Sequence, residues 1–155
     1  GLQLNFTHVD VVSLCRHVIA DFERTNSLHR FITDFAIEDV FVDADEARLM
    51  QVMANLLGNA IKYSPDAGVI TVALSQEENW IRMDIIDQGI GMNEEEKENA
   101  FERFYRADAS NTAVRGTGLG LSITKYIVDA HGGKIDIFSS KGKGTRLEIR
   151  LPLVH

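Results

Sequence analysis

The sequence predicts an α/β domain in which about five or six strands interleave with three substantial helices. Three observations carry this. Apolar residues recur at three- and four-residue spacing in three separate stretches, as in amphipathic helices. Between and after them lie alternating or continuous apolar runs bounded by Gly, Pro, Asp and Asn, which read as strands. The chain has 155 residues, 45% of them hydrophobic, which suits one domain with a proper core. No internal repeat or low-complexity linker divides it, so residues 1–155 are expected to form a single domain.

Charge and cysteine usage narrow the function classes. With 16 Lys and Arg against 23 Asp and Glu, the net charge is −7. An acidic domain is a poor general binder of nucleic acid, so any polyanion would need local positive charge. Cys15 is the only cysteine, which leaves no internal disulfide and no cysteine metal cluster. Its place on an apolar stripe reads as a small core residue. No apolar run approaches the length of a membrane span and no signal peptide opens the chain. The expectation is a soluble domain whose start reads as a cut from something longer.

The elements follow in order. Leu2 to Val9 alternates loosely, as a short strand. Asp10 is a plausible N-cap, with Ser13 as a second candidate, for a helix striped by Val11, Leu14, Cys15, Val18, Ile19 and Phe22 and running to about Arg24. Phe31 to Ile37 alternates as a strand. Phe41-Val42 is a short apolar pair before Asp43 and Asp45, either of which can cap the next helix. That helix is striped by Leu49, Val52, Met53, Leu56, Leu57, Ala60 and Ile61. It ends near Tyr63, because Pro65 disfavours helical geometry at Ser64. Pro65 to Gly68 is a turn. Val69–Leu74 and Trp80–Ile86 read as strands joined by the polar stretch Ser75 to Asn79. Asn93 to Arg115 is acidic and poorly periodic, the profile of a lid, a binding loop or a disordered segment. A third helix, with Leu119, Ile123, Ile127 and Ala130 on its stripe, stops at Gly132-Gly133. Ile135–Phe138 and Arg146–Leu151 form a closing hairpin turned at Lys141 to Gly144.

Three places can hold chemistry. Asn55, Asn59 and Lys62 are spaced four and three apart and project from one side of the second helix. Amide oxygens can ligate a hard cation such as magnesium, and an ammonium can meet phosphate; the alternative is a solvated face. Gly116 to Gly120 runs into a helix start, where free N–H groups and a partial positive charge can cradle phosphate. Glycines also make turns, and this run is neither a P-loop nor a dinucleotide fingerprint. Asp87, followed by Gly89 and Gly91, is either turn chemistry or a carboxylate that accepts from an exocyclic amino group such as adenine's. Lys62, Arg103, Arg106 and Arg115 are the nearby cations, each otherwise a surface charge. Phe101 and Phe104 would pin the base of the lid to the core. His8, His29 and His155 show no partner pattern, and His17 lies near the polar edge of the first helix, between Ser13 and Asp21. His131 precedes a helix end, where a cation is favourable.

Taken together, the motifs resemble the catalytic, ATP-binding domain of bacterial sensor histidine kinases, within the gyrase, chaperone, histidine kinase and mismatch-repair ATP-binding (Bergerat) fold. Asn55-x-x-x-Asn59-Ala-x-Lys62-Tyr63 resembles that family's N box. Asp87-x-Gly89-x-Gly91 resembles its G1 box, Phe101-Glu-Arg-Phe-Tyr-Arg106 its F box, and Gly116-Thr-Gly-Leu-Gly-Leu-Ser122 its G2 box. Four motifs stand in the family's order, and the resemblance covers nearly the whole chain.

The resemblance implies a two-layer α/β sandwich, a mixed sheet of about five strands packed on three helices. Its implied cofactors are ATP and Mg2+. Asn59 would be the main metal ligand, with Asn55 supporting the metal or phosphate shell and Lys62 on phosphate. Tyr63 would pack near the nucleoside. Asp87, with Gly89 and Gly91, would take the adenine, and Thr145 would help through a water. Gly116, Thr117, Gly118, Leu119, Gly120 and Leu121 would wrap the phosphates. Arg106 and Arg103 would reach the terminal phosphate from the lid. The partner is a phosphoacceptor histidine on a separate dimerisation domain, with a response regulator downstream. Nothing here matches the acceptor: His17 is followed by Val18, not by an acidic residue. Expected with it are a monomeric isolated domain that touches neither membrane nor nucleic acid, and a cytoplasmic setting within a membrane-anchored sensor.

Asn55 separates subclasses, because the related ATPases usually carry a glutamate there that activates water. Asparagine is a poor general base, so hydrolysis should be slow. The rivals are a hydrolysing ATPase of the same fold, a regulatory serine kinase of the same fold, and a non-catalytic domain that binds a partner.

Overall fold

The computed structural model describes residues 3–26, 28–64, 68–102 and 120–153. Strand β1 (Thr7–Asp10) leads into helix α1 (Val11–Thr25). The Asp10 side chain accepts from the Ser13 N–H at 3.1 Å, so Asp10 is the cap. The Val11, Leu14, Cys15 and Val18 face is buried, as the spacing requires. Cys15 is fully buried, and desolvation pushes its thiol up to about 12.

Strand β2 (His29–Phe35) begins two residues earlier and ends two residues earlier than the alternation suggests. Strand β3 (Phe41–Ala44) is longer than its apolar pair. It is completed by antiparallel pairing with β1, which places Val42 opposite Val9 and Ala44 opposite Thr7. Asp43 faces His8 across that ladder, so the cap of helix α2 (Glu46–Lys62) is Asp45, which accepts from the Arg48 N–H at 3.1 Å. Leu49, Val52, Met53, Leu56, Leu57 and Ala60 of α2 are buried. Each of the larger ones contributes about 1.5–3 kcal/mol by leaving water.

Strands β4 (Gly68–Glu77) and β5 (Trp80–Asp87) form a tight hairpin. The polar stretch from Ser75 belongs mostly to β4; only Glu78 and Asn79 turn, with Glu78 at φ 53. Polarity there marks the solvent-facing positions of a strand, not a loop. The segment after β5 also holds a helix, α3 (Glu94–Asn99). Asn93 and Glu96 form a reciprocal capping box that satisfies its first turn. Six residues are too few to show an apolar period. Helix α4 (Gly120–Ala130), β6 (Lys134–Ser139) and β7 (Thr145–Pro152) complete the chain.

Five strands form one mixed sheet in the order β2-β4-β5-β7-β6. The β2–β4 pair is parallel and the other three are antiparallel. Its inner face, with Ile70, Val72, Met83, Ile85, Leu147 and Ile149, packs on α1, α2 and α4 in one core. The two-layer sandwich is therefore as expected, with β1–β3 as a small separate sheet. The outer face carries charges. Arg82 reaches Glu77 at 2.8 Å and Asp84 at 2.9 Å, and Arg146 reaches Glu148 at 2.8 Å. Hydrogen bonds that it donates to Asp84 and then Glu77 hold the Arg82 guanidinium charged, well above its ordinary range.

Asp45 ties distant segments together. Its carboxylate accepts from the Asn5 N–H at 2.9 Å, which with Arg48 holds it below the usual carboxylate range. Its own N–H donates to His131 Nε2 at 3.0 Å, while His131 Nδ1 lies 2.8 Å from the Ile127 carbonyl. That pattern needs a neutral ring with Nδ1 protonated. The end of α4 is thus served by the ring's Nδ1–H, which donates to the Ile127 carbonyl, while Nε2 accepts from Asp45.

Candidate functional site

The polar side of α2 comes first. Asn55 and Asn59 are half-buried one turn apart, and Lys62 is exposed at the last position. The helix stops at Tyr63, whose N–H still bonds the Asn59 carbonyl at 3.0 Å. The Tyr63 carbonyl then accepts from the Ile90 N–H at 3.0 Å. His29 Nε2 lies 2.5 Å from the Ser64 carbonyl. These contacts fasten the end of α2 to β2 and to the loop after β5.

A cleft opens where α2, β5 and β7 meet. Ala60, Ile85, Met92 and Leu147 make its walls apolar. Asn59, Tyr63, Asp87 and Thr145 supply the polar groups, and Gly91 lines the rim. Apolar walls with a few convergent polar groups suit a flat heterocycle. Asp87 and Thr145 meet because they are cross-strand partners at the end of the β5–β7 ladder.

Asp87 is the one carboxylate among the described residues that line the cleft, and it is 8% exposed. Burial raises it above the usual carboxylate range, opposed by the N–H groups of Gly89 and Thr145. The Gly89 N–H donates to Asp87 Oδ1 at 2.8 Å. The Ser64 hydroxyl also faces this carboxylate and opposes the shift least. It forms no hydrogen bond of ordinary geometry with it, so its part is the smallest.

The glycines after Asp87 serve the protein's own backbone. A Cβ on Gly89 would lie 2.0 Å from the Tyr63 carbonyl oxygen. One on Gly91, at φ 71, would lie 2.0 Å from the Ser140 carbonyl oxygen. These glycines let the loop lie against α2 and the β6–β7 turn. The Gly144 N–H to Gly89 carbonyl bond at 3.1 Å completes the attachment.

At the other motif, Gly120 opens α4 and Leu121 is buried beneath it. Phe101 packs on the core, as expected for the base of the lid. Arg103, Phe104, Arg106, Arg115, Gly116, Thr117, Gly118 and Leu119 lie outside the described residues. Four lining residues escaped sequence reasoning: Ala60, Ile85, Met92 and Leu147. Two carried a usable signal, because Ile85 and Leu147 lie two positions from Asp87 and Thr145 and so share their face of the strand.

The chemistry of the donor set bears on a metal. Among the described residues no group of three or more His, Cys, Asp or Glu side chains could hold one. What remains on α2 is amide oxygen. That fits magnesium, which keeps several waters and takes few protein ligands when it arrives with phosphate. It does not fit a free-standing transition-metal site.

Residues 44–155 match the family described as histidine kinase-, DNA gyrase B- and HSP90-like ATPase. The sensor histidine kinase WalK of Bacillus subtilis is 38% identical over 154 residues, covering 97% of this chain and 25% of its own length. The sensor-like histidine kinase SenX3 of Mycobacterium tuberculosis is 34% identical over 157 residues, covering 96% of this chain and 37% of its own. The chain thus spans about a quarter to two fifths of the curated relatives it matches. Among solved structures, the mycobacterial sensor histidine kinase MprB superposes with a TM-score of 0.85 at 30% identity, covering 96% of this chain and 98% of that one. The nucleotide-free catalytic domain of the histidine kinase ThkA gives 0.84 at 32% identity, with 97% of each chain covered. The chain belongs to the histidine kinase-, DNA gyrase B- and HSP90-like ATPase family, as an ATP-binding domain of the kind found in sensor histidine kinases.

Proposed function

We propose that this domain holds Mg-ATP and presents its terminal phosphate to a histidine on a separate dimerisation domain, from which a response regulator is served. The observation that carries the reading is the single buried carboxylate, Asp87, in an otherwise mostly apolar cleft beside the asparagine face of α2. A full-length relative, ShkA, was solved in complex with AMPPNP; it matches 99% of this chain at 26% identity with a TM-score of 0.86.

Each residue has a task in this reading. Asp87 accepts from the adenine amino group, while Ala60, Ile85, Met92 and Leu147 exclude water around the ring. Thr145 assists through a water, and Tyr63 packs near the nucleoside. Asn59 holds the metal through its amide oxygen, and Asn55 supports the metal or phosphate shell. Bound Mg2+ supplies charge neutralisation and fixes the orientation of the phosphates. Lys62 meets phosphate as a point charge. The run from Gly116 to Leu121 offers backbone N–H groups to the phosphates, and Arg103 and Arg106 meet the terminal one. Catalysis is then mostly positioning and charge neutralisation for in-line attack. Asn55 cannot take a proton from water, so the phosphate is kept for the protein acceptor.

Incubation with γ-labelled ATP and a helical dimer carrying an acceptor histidine tests this. Label on the histidine, with little free phosphate released by the domain alone, is the expected result. Rapid phosphate release without acceptor would instead favour the ATPase rival. Labelled serine on an added regulatory protein would favour the serine kinase.

A further inference from the structure

We propose that Ser64 is a positioning residue for the nucleotide, its hydroxyl completing the donor shell that keeps Asp87 ready as an acceptor. The inference rests on the nucleotide reading of the cleft. Ser64 sits just past the end of α2 and is 4% exposed. Its Oγ is buried and has no hydrogen-bond partner among the described residues. Orphaned buried hydroxyls are uncommon, because leaving one unpaired is costly.

The surroundings say what Oγ is for. It lies against Gly89, where an added Cβ would meet it at 2.8 Å, and it faces the Asp87 carboxylate. It is also fixed in place. The Ser64 N–H bonds the Ile61 carbonyl at 3.2 Å and the Ser64 carbonyl receives His29 Nε2 at 2.5 Å. With the backbone held on both sides, the side-chain torsion is the freedom left to the hydroxyl. Gly89 already occupies Oδ1. With a hydroxyl donating as well, the carboxylate stays ionised while it accepts from a base amino group. A protonated Asp87 is a weaker acceptor, and burial pushes toward protonation.

The test reads ADP affinity by calorimetry from neutral to mildly acidic pH for wild type, Ser64→Ala, Ser64→Thr and Asp87→Asn. Loss of the hydroxyl should make Asp87 hold its proton more tightly, which moves the midpoint of the acid loss of affinity to higher pH. The gap from wild type should narrow as pH rises, and Ser64→Thr, which keeps a hydroxyl, should follow wild type. A merely structural serine would lower affinity equally at every pH. Wild-type and Ser64→Ala profiles with the same midpoint would overturn the inference while leaving the nucleotide reading intact. No ADP binding by folded wild type would overturn both. Should Ser64→Ala fail to fold, Ser64→Cys keeps the shape with a weak donor, and the same midpoint shift is required of it.

Discussion

Replacing Gly89 with alanine probes how the site is built. The new methyl would sit 2.0 Å from the Tyr63 carbonyl oxygen and 2.8 Å from Ser64 Oγ. Ordinary contact begins more than an ångström further out, and the nearer obstacle is backbone. Tyr63 cannot swing aside, because its N–H bonds Asn59 and its carbonyl bonds Ile90. The loop must therefore lift. Lifting strains or breaks the Ile90 N–H to Tyr63 bond at 3.0 Å and the Gly144 N–H to Gly89 bond at 3.1 Å. Two such bonds contribute about 0.5–1.5 kcal/mol each, and overpacking adds about 1–3 kcal/mol. The expected loss is about 2–6 kcal/mol, or about 4–24 °C in melting temperature for a domain of this size. Thermal unfolding followed by circular dichroism measures it. The internal control is Gly58→Ala, whose methyl meets nothing within 4 Å among the described residues. Being inside α2, it should gain about 0.5–1 kcal/mol. A Gly89→Ala protein melting within about 2 °C of wild type would refute the reasoning about backbone approach.

Other outcomes follow from the same geometry. Burial raises Asp87, so the folded state binds its proton more tightly than the unfolded chain and stability falls as pH rises from the ordinary carboxylate range through the raised value. Asp87→Asn should therefore raise the melting temperature of the nucleotide-free domain at neutral pH, by a margin that shrinks on acidification, while it weakens ATP binding; a lower melting temperature at neutral pH would count against this. His131→Leu leaves the buried Asp45 N–H without its acceptor, and denaturant melts should show a loss of about 1–3 kcal/mol. With its thiol pushed up to about 12 and fully buried, Cys15 should resist a thiol reagent in native buffer and react at once in denaturant.

The sequence displays most of the fold because its long elements bury one face. The three- and four-residue spacing in α1 and α2 and the alternation in β5 and β7 are consequences of that burial. The shorter elements escaped. Strand β3 exists only through its pairing with β1, and α3 is announced by the capping box Asn93 and Glu96 but not by any stripe. The Ser75–Glu77 end of β4 is polar because it faces water. Of the cleft's lining, the polar residues Asn59, Tyr63, Asp87 and Thr145 are singled out by the sequence motifs and the resemblance they carry. The lining was not legible where any apolar residue would do, as at Ala60 and Met92, and the burial of Ser64 beside Gly89 depends on a fold contact.

One measurement bears most directly on the account. A calorimetric titration with a non-hydrolysable ATP analogue, with and without magnesium, should show saturable binding that tightens with the metal. Asn59→Ala should lose the magnesium-dependent part and keep the rest. Absence of binding by a domain shown to be folded would contradict the account, and so would an equal loss in Asn59→Ala with and without magnesium.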